Sequence, residues 1–150
     1  MYPNNPAYAM LRVMSEIEVS YEGGLRTRCV HGNLGKEIFT DAPKIFHGKE
    51  EYLSPTDLLA AAFGSCVLTV MGMQAGKLGV DLSGLKARVS KEMADASQRR
   101  IARLRIEVTS PNSFSQDIIE KLELAAMGCP VAKSLHPDIV IEHRFSWGSA

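Results

Sequence analysis

A chain of 150 residues with 45% hydrophobic content is long enough to bury a core of its own and too apolar for disorder, so it reads as one domain over residues 1–150. Its 17 basic and 17 acidic side chains cancel, which removes the electrostatic footprint that nucleic acid or an anionic membrane surface requires. The cysteines Cys29, Cys66 and Cys129 match neither a disulfide framework nor the paired spacing of a zinc site, and are expected as thiols in a reducing compartment.

Residues 1–9, with Pro3 and Pro6 among asparagines, read as a mobile tail. They lack the basic and apolar regions of a signal peptide, so the cytoplasm is the expected location. Val13, Ser15, Ile17, Val19 and Tyr21 alternate with Met14, Glu16, Glu18, Ser20 and Glu22, the pattern of a half-buried strand with an acidic outer face. Glu22-Gly23-Gly24 turns the chain, and Leu25 to Val30 returns as the second strand of a hairpin, with Arg26 and Arg28 on the face opposite Cys29. Glu37 to Asp41 is a short third strand, and Ala42 to Leu53 is a loop.

The stretch that follows organises the chain. Ser54 suits a helix N-cap, Pro55 suits the first helical position, and Asp57 completes a capping-box pattern. From Leu58 to Gly76 no residue is charged, and Leu58, Leu59, Phe63, Val67, Leu68, Val70, Met71 and Met73 cover the cylinder without a polar stripe. A helix from Pro55 to Leu78, stopped by Gly79, would be about 36 Å long at 1.5 Å per residue. Such a helix needs protein on all sides, which suggests a partner subunit. A membrane span is disfavoured because Gly64, Ser65, Thr69, Gly72 and Gln74 dilute the run and no basic cluster flanks it.

Two strands follow, Leu85 to Lys91 and Arg103 to Val108, joined by a turn over residues 95–100. Ser115 then opens an amphipathic helix that ends at Gly128, Cys129-Pro130 starts a short helix that stops at His136-Pro137, and Ile139 to Trp147 is a last strand. The order βββαββααβ defines an α+β fold, for which antiparallel sheets are expected.

Cys129 falls at the N-cap of its helix, where free N–H groups favour a thiolate. Cys66 lies mid-helix, where a thiol is inert unless a cation reaches it, and Arg26 or Arg28 is a candidate for that cation. Asp57 or Glu50 is a candidate carboxylate to hold such a guanidinium in a bidentate pair, and Glu51 is a further one. Cys29 reads as core filler. The scattered histidines make a metal site weak, and no phosphate loop, nucleophile elbow or cofactor motif is present, so no cofactor is expected.

The stretch Ser54-Pro55-Thr56-Asp57-Leu58-Leu59-Ala60-Ala61-Ala62-Phe63-Gly64-Ser65-Cys66, with Gly128-Cys129-Pro130-Val131-Ala132-Lys133-Ser134-Leu135, resembles the two cysteine motifs of the OsmC and organic hydroperoxide resistance (Ohr) family. The resemblance runs in element order from Leu11 to Trp147. It implies an intertwined homodimer with sites at the subunit interface, and a thiol peroxidase in which Cys66 attacks an organic hydroperoxide, Cys129 resolves it, and an external dithiol such as a lipoyl protein reduces the disulfide. Two departures stand out. Thr56 occupies the place where the family's peroxidases carry a glutamate, and the family's arginine has no clean match, since the loop before the helix holds none. The alternative is a non-peroxidatic dimer of the same fold, with a redox-sensing or small-ligand-binding role.

Overall fold

A computed structural model of the chain describes residues 15–95 and 97–148. The expected tail, and the start of the first expected strand, lie outside these. The chain divides into two compact units, one through Pro55 and one from Thr56 onward.

The first unit is an antiparallel sheet of β1 (Ile17–Gly23), β2 (Arg26–His31) and β3 (Glu37–Asp41), in that order. Register sets Val19 opposite Cys29, Cys29 opposite Ile38, and Arg26 opposite Asp41. A 3-10 turn over Lys44–Phe46 follows. The expectation that β1 is half buried does not hold within one chain. Its apolar side is open, with Val19 60% and Tyr21 67% exposed, and the buried positions among the unit's described residues, Thr40, Asp41 and Ser54, are all polar.

The second unit carries the apolar core. Helix α1 spans Pro55–Leu78, and Gly79 ends it in the left-handed conformation that glycine adopts without a Cβ penalty. Strands β4 (Lys86–Met93), β5 (Ile101–Thr109) and β6 (Val140–Ser146) form a second sheet, with α2 (Gln116–Met127) and α3 (Pro130–Lys133) between β5 and β6. The core joins Phe63, Val67 and Met71 of α1 to Leu104, Ile106 and Val108 of β5 and to Leu122, Ala126 and Cys129. Gly64 brings helix and sheet together: a Cβ there would meet Val89 of β4 at 2.8 Å.

One sequence expectation needs correction. β4 and β5 pair antiparallel, but β6 runs parallel to β5, because α2 and α3 carry the chain back to the end at which β5 began. Within one chain α1 is buried along one side. Ala60, Phe63, Gly64, Val67, Met71 and Ala75 form a buried stripe, while Ala61, Ala62, Ser65, Thr69, Gly72 and Met73 are exposed. By length and composition alone α1 could cross a membrane, a test that the core helix of a soluble protein also passes.

Candidate functional site

The second unit brings together two cysteines that are far apart in sequence. Cys66 of α1 is half buried and packs against the core cluster, and Cys129 sits at the junction of α2 and α3, fully buried. Gly128 closes α2, its N–H donating to the carbonyls of Ala125 and Ala126, and Pro130 occupies the first turn of α3, so the sharp junction holds Cys129 against the core. The two thiols are in hydrogen-bonding contact.

Cys129 is the N-cap of α3, as its sequence context predicts, but the expected ease of ionisation does not follow. Burial pushes its thiol up, and the hydrogen bond to Cys66 adds to the effect because Cys129 makes it with its proton in place. The N–H groups of Ala132 and Val131 pull the other way without closing a capping bond, and a helix of one turn offers little dipole to help them. Desolvation wins, and the Cys129 thiol is held in its protonated form.

The supporting candidates lie in different surroundings from those the sequence suggests. In the first unit, Arg26 Nε donates to Asp41 Oδ1 at 2.7 Å and Nη2 to Asp41 Oδ2 at 2.8 Å, a bidentate pair. Nη2 also donates to Glu51, and the guanidinium lies over the Tyr52 ring, 4.6 Å from its centroid. Arg28 pairs instead with Glu37, both half exposed. Glu50 and Asp57 have other partners. Glu50 accepts from the Lys44 N–H, and Asp57, in the second unit, takes Lys91 Nζ at 2.8 Å. Lys91 also donates to Thr56 Oγ1 at 2.7 Å, so the place of the family's glutamate is engaged by a cation.

Three residues went unmarked in the sequence reading. Asp41 became visible only once the register set it opposite Arg26. Lys91 has a clearer signal, a lone charge at the end of the inward alternation Leu85, Ala87, Val89, Lys91. His143 shows the same sign on β6, where Ile141 and Phe145 flank it.

His143 is half buried, with its ring edge-on to Phe63 at 6.0 Å and stacked on Phe145 at 6.1 Å, and its buried Nε2 has no hydrogen-bond partner among the described residues. Burial lowers its pKa, so on acidification the unfolded chain takes the proton first. The stability tied to the neutral ring is complete above the unfolded value of about 6.5 and is lost as pH falls through the lower folded value. His143→Phe should therefore flatten the loss of melting temperature between neutral and mildly acidic buffers. An equally steep loss in the variant would assign that titration to other groups.

Among the described residues, no group of three or more histidine, cysteine or acidic side chains is placed to hold a metal ion. The chemistry available is that of two thiols in an apolar core. Residues 48–144 match the family model described as OsmC-like protein, and the chain belongs to that family. It is similar over 89% of its length, at 40% identity and a TM-score of 0.84, to a Psychrobacter arcticus 273-4 structure described as an osmotic stress induced and detoxification response protein, of which it covers 97%. It shares its fold with an organic hydroperoxide resistance protein OsmC from Legionella pneumophila (11% identity, TM-score 0.69, 92% of this chain and 100% of that one). An organic hydroperoxide resistance protein from Elizabethkingia anophelis has the fold too (16% identity, TM-score 0.65, 93% and 99%). A comparison with the curated proteins finds no match.

Proposed function

We propose that this chain is a cysteine-based thiol peroxidase that reduces organic hydroperoxides, with Cys66 as the attacking thiol and Cys129 as the resolving one. The observation that carries the reading is the contact of the two thiols within one apolar core. Cys66 is the more accessible of the two, so a hydroperoxide reaches it first. Its thiolate attacks the terminal oxygen, the O–O bond breaks, the alkoxide leaves and takes a proton to become an alcohol, and Cys66 becomes a sulfenic acid. The Cys129 sulfur then attacks the Cys66 sulfur. The S–S bond forms, the S–O bond breaks, and the Cys129 proton leaves with the hydroxyl as water. An external dithiol, for which a lipoyl protein is the family's precedent, returns both thiols. Phe63 and Val67, both fully buried, favour an alkyl hydroperoxide over hydrogen peroxide.

A thiolate in apolar surroundings needs a cation, and we assign that part to Arg26 ahead of Arg28, which is tied to Glu37 on an open surface. The test of the function is consumption of cumene hydroperoxide by the full chain with dihydrolipoamide as reductant. Sustained turnover is expected, and no turnover with any dithiol would overturn the reading.

The reading includes a homodimer in the cytoplasm. Open apolar side chains on β1, the exposed small residues of α1 and a first unit without buried apolar side chains among its described residues all support a second copy as cover. Sedimentation at micromolar concentration should give a dimer burying more than about 2,000 Å². A stable monomer that turns over hydroperoxide would contradict this part.

One observation favours a second reading, a non-peroxidatic dimer with a redox-sensing or small-ligand-binding role: Thr56, which stands where the family's peroxidases carry a glutamate, accepts from Lys91 Nζ at 2.7 Å. A Cys66–Cys129 disulfide that forms with peroxide, without catalytic turnover, would select it.

A further inference from the structure

We propose that the reducing dithiol opens the Cys66–Cys129 disulfide at the Cys66 sulfur, with Cys129 as the leaving sulfur, so that reduction passes through a mixed disulfide on Cys66; this rests on the pairing of the two thiols in the proposed function. The two sulfurs are unequally placed. Cys129 is 0% exposed and shares the core with Leu122 and Ala126, themselves fully buried, whereas Cys66 is half buried and packs against the same cluster. A thiolate needs a path to the sulfur it attacks, and any path to Cys129 crosses apolar side chains that strip the thiolate of its hydration. Cys129 is also held in place. Its N–H donates to the Ala126 carbonyl at 3.2 Å and its carbonyl accepts from the Lys133 N–H at 3.2 Å, so swinging it outward would break the end of α2 and the single turn of α3. A second copy of the chain adds cover and removes none, so Cys129 stays closed in a dimer too.

Leaving ability alone would favour the opposite order. A sulfur leaves faster the lower its pKa, and burial pushes the Cys129 thiol up. Access decides between them. The leaving sulfur meets the N–H groups of Val131 and Ala132, which favour its charged form as the bond breaks, whereas a sulfur without exposed surface offers no point of attack. In the first step a thiolate of the dithiol bonds to Cys66 Sγ, the Cys66–Cys129 bond breaks, and its electron pair goes to Cys129, which takes up a proton. In the second, the other thiol of the same molecule attacks the outer sulfur of the mixed disulfide and Cys66 leaves. The dithiol ends as a cyclic disulfide, and its two protons end on Cys66 and Cys129. A monothiol lacks the second step, and the Cys129 thiol, in contact with Cys66, displaces it again.

In the experiment the disulfide is formed in the full chain with diamide, which oxidises thiols without a hydroperoxide, and the excess is removed. The chain is treated briefly with 2-mercaptoethanol and quenched in acid, and the adducts are mapped by peptide mass spectrometry. The adduct is expected on Cys66, with Cys129 a free thiol, in at least about tenfold excess over the reverse arrangement. An adduct mainly on Cys129, or equal shares, overturns the proposal. A second measurement serves where return attack by Cys129 keeps the adduct too scarce to map. In a Cys29→Ser background, Cys129→Ser and Cys66→Ser are each loaded with thionitrobenzoate on the remaining cysteine, and dihydrolipoamide should release the dye from Cys66 at least about tenfold faster. A Cys129 that takes no dye in the folded chain supports the proposal, and release from Cys129 as fast as from Cys66 overturns it. A disulfide that forms with diamide in a chain that leaves cumene hydroperoxide intact would count against the peroxidase reading and not against this one. A chain in which diamide never joins Cys66 to Cys129 would overturn both.

Discussion

Cys66→Ser is expected to abolish hydroperoxide turnover, a loss of at least about a thousandfold, because an alcohol in an apolar core supplies no nucleophile comparable to a thiolate. Cys129→Ser should behave differently. It keeps the attacking sulfur, so it should consume one equivalent of hydroperoxide per site in a first fast phase. It should then stall as the Cys66 sulfenic acid, since no second sulfur stands in contact with it. Stopped-flow traces with cumene hydroperoxide check both, and a sulfenic acid trap identifies the stalled species. Equal losses in the two variants, with no burst in Cys129→Ser, would mean that attack and resolution are not divided as assigned. Cys29→Ser should turn over at the parental rate, because Cys29 lies on the β2 face, opposite Val19 and Ile38 and outside the core cluster that holds the two thiols.

The second large effect concerns stability. Phe63 is fully buried, makes the edge contact with His143, and sits on α1 one turn before Cys66. Gly64, beside it, lets Val89 approach so closely that neighbouring groups have little room to collapse into a void. Phe63→Ala is therefore expected to cost about 3–5 kcal/mol, a transfer term plus a cavity term. Urea unfolding measures this directly. A loss below about 1 kcal/mol would mean that the helix–sheet contact relaxes far more freely than Gly64 and Val89 imply.

The local signals that specify each element are strong in this sequence, and the fold could be read from them. Ser54-Pro55 and Gly79 bracket α1, and the structure places its ends at Pro55 and Leu78. Ser115 and Gly128 bracket α2 in the same way. The direction of β6 was not legible, because no local pattern says whether a strand returning after two helices enters a sheet from one end or the other; the length of the crossover decides it. The open face of β1 was not legible for a related reason. Alternation reports which residues seek cover, and Ile17, Val19 and Tyr21 do alternate, but it does not report whether the cover belongs to the same chain.

The site shows the same division. Cys66 and Cys129 stood out because their motifs are continuous in sequence. Of the two carboxylates that Arg26 meets, Glu51 is among the sequence candidates and Asp41 is not, because Asp41 reaches it across a strand pair, and a carboxylate at the end of a short strand carries no mark of its own. The candidates nearer in sequence to the helix, Asp57 and Glu50, are taken by Lys91 and by the Lys44 backbone. The ionisation of Cys129 is not legible in sequence for a physical reason: an N-cap position is visible there, but the burial that opposes it is a property of the folded core.

The most direct measurement of the two-thiol mechanism is a single-turnover experiment on the reduced protein. One equivalent of cumene hydroperoxide per chain is added, the reaction is quenched in acid, and the products are mapped by peptide mass spectrometry. The account predicts one molecule of alcohol released per chain and a disulfide joining Cys66 to Cys129 within the same chain, with Cys29 still a thiol. Oxidation confined to Cys29, or a hydroperoxide left intact while Cys66 and Cys129 remain free thiols, would contradict it.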